Sequence, residues 1–470
     1  MIADLKPYAE YRESGLPWLG QVPGHWSVSR IKTVLRETDR RSEDGEGTLL
    51  SLTRVRGLIP HRDMTDKMHS AKTLVGYKRY RTGQLVMNRM QAWSGMFGAG
   101  EIDGLVSPDY AVFDVLGGHS IKLVLERLKT PDLISQFALE SKGIGSGFNR
   151  LYTDRFGPIP ISLPPPDEQA AIVRFLDWAN GRLGRAIRAK RKVIALLNEQ
   201  KQAIIHRAVT RGLDPSIPLK PSGIPWLGDI PQHWEVAAIG AAATLIQTGP
   251  FGSQLHSHEY VTAGVPVINP SHMAGGRIKP SQAVTISAEK ARELSRHMLC
   301  SGDIVIARRG ELGRCALVTP FEQGWICGTG SLLLRCKTST VSPAFFQAVF
   351  ASRGIADMLS LSSIGATMAN LNAGTVARQR LPLPPLDEQQ RIVRFIEDET
   401  HTVAIAISRL QREIELLREY RTRLVAEVVT GKLDVREAAA RLPDEAPLDS
   451  VEDAADLGDE IESEAEEIEA

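Results

Sequence analysis

The residues in this chain best equipped for chemistry are basic, amide and aromatic side chains gathered where loops are predicted. Lys72, Lys78, Arg79, Arg81, Arg89, Gln91 and Trp93 form one group, and Gln254, Arg308, Arg309, Arg314 and Asn370 form another. A guanidinium or amide can bond a base edge through two atoms at once, whereas a lysine mainly holds a phosphate. Each residue alone could be a solvated surface charge; as groups they favour DNA over a small ligand.

Other kinds of chemistry find little support. The chain contains neither a Gly-x-x-x-x-Gly-Lys-Ser/Thr loop nor a His-Glu-x-x-His pair, so a nucleotide-driven motor or a zinc peptidase is not expected. His256, His258 and Glu259 could form a metal cluster, but they read as a polar loop instead. Thr248-Gly-Pro-Phe-Gly-Ser253 is glycine-rich without following a clear strand, and reads as a loop rather than a phosphate cradle. Cys300, Cys315, Cys327 and Cys336 lack the Cys-x-x-Cys spacing of zinc sites and are too few for a disulfide framework. No catalytic constellation stands out, and no metal site is expected.

The elements that must position the basic groups come in duplicate. Ser14-Gly-Leu-Pro-Trp-Leu-Gly, with Pro23, His25-Trp26 and Ile31, recurs 208 residues later from Ser222 to Ile239, with eleven of eighteen positions identical. Leu163-Pro-Pro-Pro-Asp-Glu-Gln and Ile172-Val-Arg-Phe175 recur 220 residues later as Leu383-Pro-Pro-Leu-Asp-Glu-Gln and Ile392-Val-Arg-Phe395. A period near 210 residues is too long for a solenoid, so each copy is a domain with an appendage and the whole has a pseudo-twofold character. The proline, glycine and tryptophan of the first block (Trp18, Trp26, Trp226, Trp234) read as a rigid turn pinned by buried aromatics.

Each Leu-Pro-Pro segment leads into a helix-forming stretch, with Asp167 or Asp387 expected to cap and the adjacent Glu favoured by the positive helix end. Val403, Ile407, Leu410, Ile414, Leu417, Arg421, Leu424 and Val428 alternate spacings of four and three, a coiled-coil seam. The same register gives Leu183, Ile187, Lys190, Ile194, Leu197, Lys201, Ile204 and Ala208 in the first copy. Helices from Asp167 to about Arg211 and from Asp387 to about Gly431 would each span roughly 65 Å. With one apolar stripe each, they are expected to pair antiparallel within the chain; a homodimeric coiled coil needs the same stripe. Rods of this length would hold the two domains apart.

Between the repeated blocks, Gly83-Gln-Leu-Val-Met-Asn-Arg89 matches Gly302-Asp-Ile-Val-Ile-Ala-Arg308, an apolar strand ending in arginine. Further strands are expected at Tyr110–Val115, Val265–Asn269, Cys315–Thr319 and Ser331–Arg335, and helices at Asp132–Ser141 and Pro343–Met358. The fold class is α+β, with two mixed α/β domains joined by the two helices. The expected divisions are a first domain at 1–165, a helix at 166–212, a second domain at 213–385, a helix at 386–434 and an acidic, disordered tail at 435–470.

Length and charge agree with this layout. At 470 residues the chain is long enough for two to four domains. The 56 basic and 56 acidic residues balance, yet thirteen of the acids lie between 444 and 470, a stretch without lysine or arginine. The body therefore carries a net charge of plus thirteen, which suits a polyanion-binding protein whose tail is disordered or competes for the basic surface. The charged residues Asp4, Lys6, Glu10, Arg12 and Glu13 stand where a secretory signal needs an apolar core, and no stretch could span a membrane, so a cytoplasmic location is expected.

The ensemble resembles the specificity subunits of type I restriction-modification systems. The resemblance rests on the two Leu-Pro-Pro-x-Asp-Glu-Gln segments opening long helices, Thr248-Gly-Pro-Phe-Gly-Ser-Gln254, Gly302-Asp-Ile-Val, Asn370-Leu-Asn372, and Met87-Asn-Arg-Met-Gln-Ala-Trp93 with Val106-Ser-Pro108. It covers residues 14–434 and leaves the acidic tail outside. It implies two target recognition domains reading a bipartite double-stranded DNA target, helices that dock two methyltransferase subunits, and association with restriction/translocase subunits. It also implies that the chain is not an enzyme, with S-adenosylmethionine bound by the partner methyltransferase and no cofactor here. Consistently, no Asn-Pro-Pro-aromatic motif is present; Asn269-Pro270-Ser271 comes nearest. The alternative is a coiled-coil scaffold whose paired domains bind protein.

Overall fold

The computed structural model describes residues 5–54, 56–64, 73–143, 149–310, 312–352, 354–355, 358–359 and 371–443. The chain divides into two compact units, 1–190 with 412–470, and 191–411. Each unit holds one half of each of two long helices, Pro166–Arg211 and Leu386–Val429.

The first unit is built on a four-stranded antiparallel sheet in the order Leu35–Thr38, Tyr110–Val115, Gln84–Asn88, Phe97–Gly98. Alternation along the strands loads both faces. Leu85, Met87, Ala111 and Phe113 pack with the helices Ile121–Leu128 and Pro131–Glu140 and with the long helices, while Val86 and Val112 join a smaller cluster with Leu50, Leu52 and Tyr80. The second unit repeats the plan. Ala243–Thr248, Ser331–Cys336, Ile304–Ala307 and Cys315–Leu317 follow the same order, with Ile304 and Ile306 on one core and Val305 and Ala307 on the other. It adds a second four-stranded sheet that includes the parallel pair Val265–Ile268 and Ile326–Cys327.

The expected helix over Pro343–Met358 is interrupted: one helix runs Pro343–Phe350, and residues 354–355 and 358–359 are helical again. Ser352 turns its hydroxyl back to Val349 O, and Gly354 comes so close to Trp226 that a Cβ would lie 2.5 Å from the ring. Residues 435–443, grouped above with the acidic tail, are also ordered: the helix Arg436–Ala440 buries Ala438 and Ala439 in the first unit, and Arg174 donates to Leu442 O. The acidic residues 444–470 lie outside the described residues.

The long helices begin at Pro166 and Leu386, one residue before the aspartates. Asp167 and Asp387 are therefore exposed first-turn residues rather than caps; Pro166 suits this position because its missing N–H would have no intrahelical partner. At the other end, Gly212 and Gly431 adopt left-handed φ values of 70° and 76°. In the second unit Gly212 sits against Trp234 and Glu388, at the start of the second helix; in the first unit Gly431 sits against Pro23 and Trp26.

Within each unit the end of one helix thus lies beside the start of the other, and the pairing is antiparallel. Leu183, Ile187, Val403, Ile414 and Leu424 are buried, and Ile194, Leu197, Ile204, Ile407, Leu410 and Leu417 are half-buried. Two polar positions of the stripe bond the opposite helix in the first unit: Lys190 pairs with Glu413 at 2.6 Å and Arg421 donates to Asn180 at 3.2 Å.

The duplicated Glu-Gln pair explains the two repeated blocks. Buried Glu168 accepts hydrogen bonds from Tyr8 Oη (2.5 Å) and Trp26 Nε1 (2.9 Å), and its other oxygen lies 2.6 Å from His25 Nε2. Burial, and then the Glu168 carboxylate, push the Tyr8 hydroxyl far above its ordinary pKa. Gln169 donates to Pro164 O and accepts from Ser120 N, the residue capping Ile121–Leu128. Glu388 meets His233 at 2.7 Å, and Gln389 donates to Pro384 O and Thr340 O and accepts from Ser342 N, just before Pro343–Phe350. Trp234 Nε1, by contrast, is buried without a hydrogen-bond partner.

Glu168→Ala leaves two buried donors without an acceptor and should cost about 2–4 kcal/mol. Glu388→Ala should cost less, about 1–2 kcal/mol, because Trp234 contributes no bond there. Denaturant titrations followed by tryptophan fluorescence measure both; equal losses would contradict the asymmetry.

Candidate nucleic-acid interface

The matched strands bring part of each basic group to one end of each unit's central sheet. Arg89 follows Gln84–Asn88, and Arg308 follows Ile304–Ala307. Both are held by the same backbone bond: Leu151 N donates to Arg89 O at 2.9 Å and Leu371 N to Arg308 O at 3.0 Å, the two leucines standing at the 220-residue offset.

Their guanidinium groups are partly buried and engaged. Arg89 Nη2 donates to Glu37 Oε1 at 2.6 Å, and its Nε is buried without a partner. Arg308 Nε donates to Leu371 O at 2.8 Å. Burial, and then the neighbouring Arg309 charge, lower the Arg308 pKa. Fixing a guanidinium by one edge orients its remaining N–H groups, the geometry that bidentate readout of a base requires.

The other candidates divide. At the Arg89 end, Gln91 accepts from Asn88 Nδ2 (3.1 Å), and Trp93, 40% exposed, is anchored by Nε1 to Met90 O. Arg79 pairs loosely with Asp44 at 3.4 Å. Arg81 is exposed, but its backbone bonds Gln84, at the opposite end of the strand from Arg89, so these two are not brought together. Lys78 is buried between Glu37 and Asp39 and belongs to the interior rather than to a binding surface. The spacing could not reveal this, because the acids that bury it come from another strand. Lys72 and Asn370 lie outside the described residues.

In the second unit, Gln254 closes the Thr248–Gln254 loop: its Oε1 accepts from Phe251 N and its N donates to Phe251 O. Arg309 is exposed, and half-buried Arg314 donates to Pro270 O at 3.3 Å. Asn269 Oδ1 accepts from Gly330 N, so this nearest approach to a methyltransferase motif is part of the scaffold. His256 and His258 stack at 5.4 Å, while the Glu259 carboxylate is taken by Lys290 and His256 N. Among the described residues no group of three His, Cys, Asp or Glu could hold a metal ion.

Residues 231–416 match the family described as the type I restriction modification DNA specificity domain. The chain is 23% identical over 302 residues to the type I restriction enzyme MjaVIII specificity subunit of Methanocaldococcus jannaschii, covering 63% of this chain and 68% of the relative. It is 22% identical over 406 residues to the EcoKI specificity subunit of Escherichia coli K12, covering 80% and 82%. Over these residues it is similar to type I specificity subunits. A solved structure described as the basis of complex assembly and conformational transition of the type I R-M system shares the fold, with a TM-score of 0.59, 17% identity, and coverage of 88% of this chain and 99% of that one.

The loop beside the second unit's candidate interface rests on close backbone packing. A Cβ on Gly249 would lie 1.9 Å from Gly328 O, whereas one on Gly252, at φ 62°, would meet nothing within 4 Å. Gly249→Ala must therefore displace the loop root and should destabilise by about 2–3 kcal/mol. Gly252→Ala should cost only the left-handed strain, about 1–2 kcal/mol. Thermal unfolding of the two variants measures the difference, and the reverse order would refute this account of the loop.

Proposed function

We propose that this chain reads a bipartite duplex DNA target, one half-site per unit, and docks methyltransferase subunits that carry the S-adenosylmethionine site. Restriction/translocase subunits join the same assembly, and the chain itself performs no chemistry. The observation that carries this reading is the repetition, in two units, of an arginine fixed at the end of a sheet strand by the same backbone bond. A small-molecule site has no reason to be built twice on one plan; a divided DNA target does. No described helix is long and apolar enough to cross a membrane.

The alternative, a protein-binding scaffold, predicts no steep salt dependence on DNA. Under the DNA reading, affinity falls steeply with salt as phosphates are neutralised, and Arg89→Ala or Arg308→Ala should each cost about 1–3 kcal/mol on the cognate site while relaxing specificity in one half only. Equal losses on cognate and random duplexes would make these arginines phosphate contacts. Replacing residues 32–160 by the equivalent segment of a relative should change one half-site and leave the other; a change in both would overturn independent reading.

The duplication also bears on partner number. Ile194-Ala-Leu-Leu197 and Ile414-Glu-Leu-Leu417 are equivalent, and in each the middle leucine, Leu196 or Leu416, faces outward with about half its surface exposed. One such leucine in each unit supports two equivalent docking positions. Leu196→Asp and Leu416→Asp should each remove one methyltransferase copy, and the double variant both, without lowering thermal stability. The mass of the purified complex measures this, and an unchanged mass would rule out these anchors.

A further inference from the structure

We propose that Phe251 is a stacking wedge that enters the base stack of the second half-site. The inference rests on the DNA-reading function and adds a mode of contact to it. Exposed aromatic rings are uncommon among the described residues, and Phe251 is 61% exposed at the turn of the Thr248–Gln254 loop. The turn is rigid. Pro250 restricts the preceding backbone, Gln254 bonds Phe251 through both its side chain and its backbone N–H, and Gly249 is locked against the Gly328 carbonyl.

Its place in the sheet sets the ring beside the candidate interface. Thr248 and Ile306 both pair with Leu332, Gly249 N donates to Ser331 O, and Arg308 N donates to Gly330 O. The root of the loop and the fixed arginine therefore flank one strand end, about 10 Å apart at two strand spacings. Exposed Arg309 completes a patch in which cationic groups can hold phosphates and bond base edges while an unpartnered ring is presented with them. Apolar side chains presented this way can insert between base pairs, unstacking a step, and base–aromatic stacking tolerates different sequences because every base has a π-face. The ring would thus contribute affinity and bending, leaving base identity to the arginine and amide groups.

Another exposed phenylalanine of this unit provides an internal control. Phe321 is 77% exposed, packs edge-on to Trp325, and sits on the turn after Val318, which bonds Asp303 at the opposite end of the same strand. The arginine at that end, Arg335, already has its Nε and Nη2 taken by the Asp303 carboxylate.

The test uses the full chain in complex with its methyltransferase subunits and a duplex selected by that complex from a random pool, with 2-aminopurine placed successively across each half-site. Phe251→Ala should weaken binding roughly tenfold or more, Phe251→Trp should restore it, and Phe321→Ala should leave it unchanged. The wild-type complex should raise 2-aminopurine fluorescence at one step of the second half-site, and Phe251→Ala should abolish that rise. Binding by Phe251→Ala within twofold of wild type, or fluorescence quenched at every position, overturns the wedge. A Phe251→Ala complex that binds DNA normally but loses a protein subunit reassigns the ring to a protein contact. If wild-type complex selects no sequence at all, the DNA-reading function itself fails, independently of Phe251.

Discussion

A single buried carboxylate at the start of each long helix ties the architecture together. Glu168 and Glu388 sit in the first helical turn, where the helix end favours negative charge, yet they are turned inward to meet the Trp-His block from the start of the same repeat. A buried carboxylate is costly unless donors surround it. Here those donors are Tyr8, His25 and Trp26 in the first unit and His233 in the second, so satisfying the charge also seats the helix on the domain. The adjacent glutamine extends the junction by tying the helix start to the backbone ahead of a shorter helix, and the left-handed glycine ending the other long helix packs close by.

The two copies of this junction are not equally satisfied, and chain connectivity accounts for part of the difference. In the second unit the chain runs on from Gly212 into the strand Leu219–Pro221. In the first unit the equivalent helix end is met by a separate segment: Asp434 N donates to Lys6 O, and Tyr11 Oη donates to Gly431 O. That segment also brings Tyr8, a further donor to Glu168. Trp234, with its N–H unmatched, lies in the unit whose junction lacks such a tyrosine.

The same economy governs the basic residues. Glu37 takes part in holding both buried Lys78 and half-buried Arg89, and a carbonyl holds Arg308. Side chains already fixed in this way lose less freedom when they meet a ligand, which is how a loop-borne site can be selective. A lysine and an arginine eleven positions apart in the first domain thus end up with different tasks, one inside the fold and one at its edge.

Much of this could be read from residue order alone. Duplication, strand periods around Tyr110–Val115 and Ser331–Cys336, and the four-three spacing of Leu183 to Leu424 are local patterns, and local patterns carry the fold class and the long helices because hydrophobic period dictates which face is buried. What the sequence could not determine depends on partners distant along the chain. Asp167 looks like a cap until the fold starts the helix at Pro166, and the apolar run over Pro343–Met358 looks like one helix until it breaks after Phe350, where Ser352 bonds back to Val349 and Gly354 packs on Trp226. Lys78 looks like a DNA contact until Glu37 and Asp39 enclose it, and the sequence marks Phe251 only as part of a glycine-rich loop. Side-chain pairing across strands and the direction a loop residue faces are set by tertiary packing, which residue order specifies only through the whole fold.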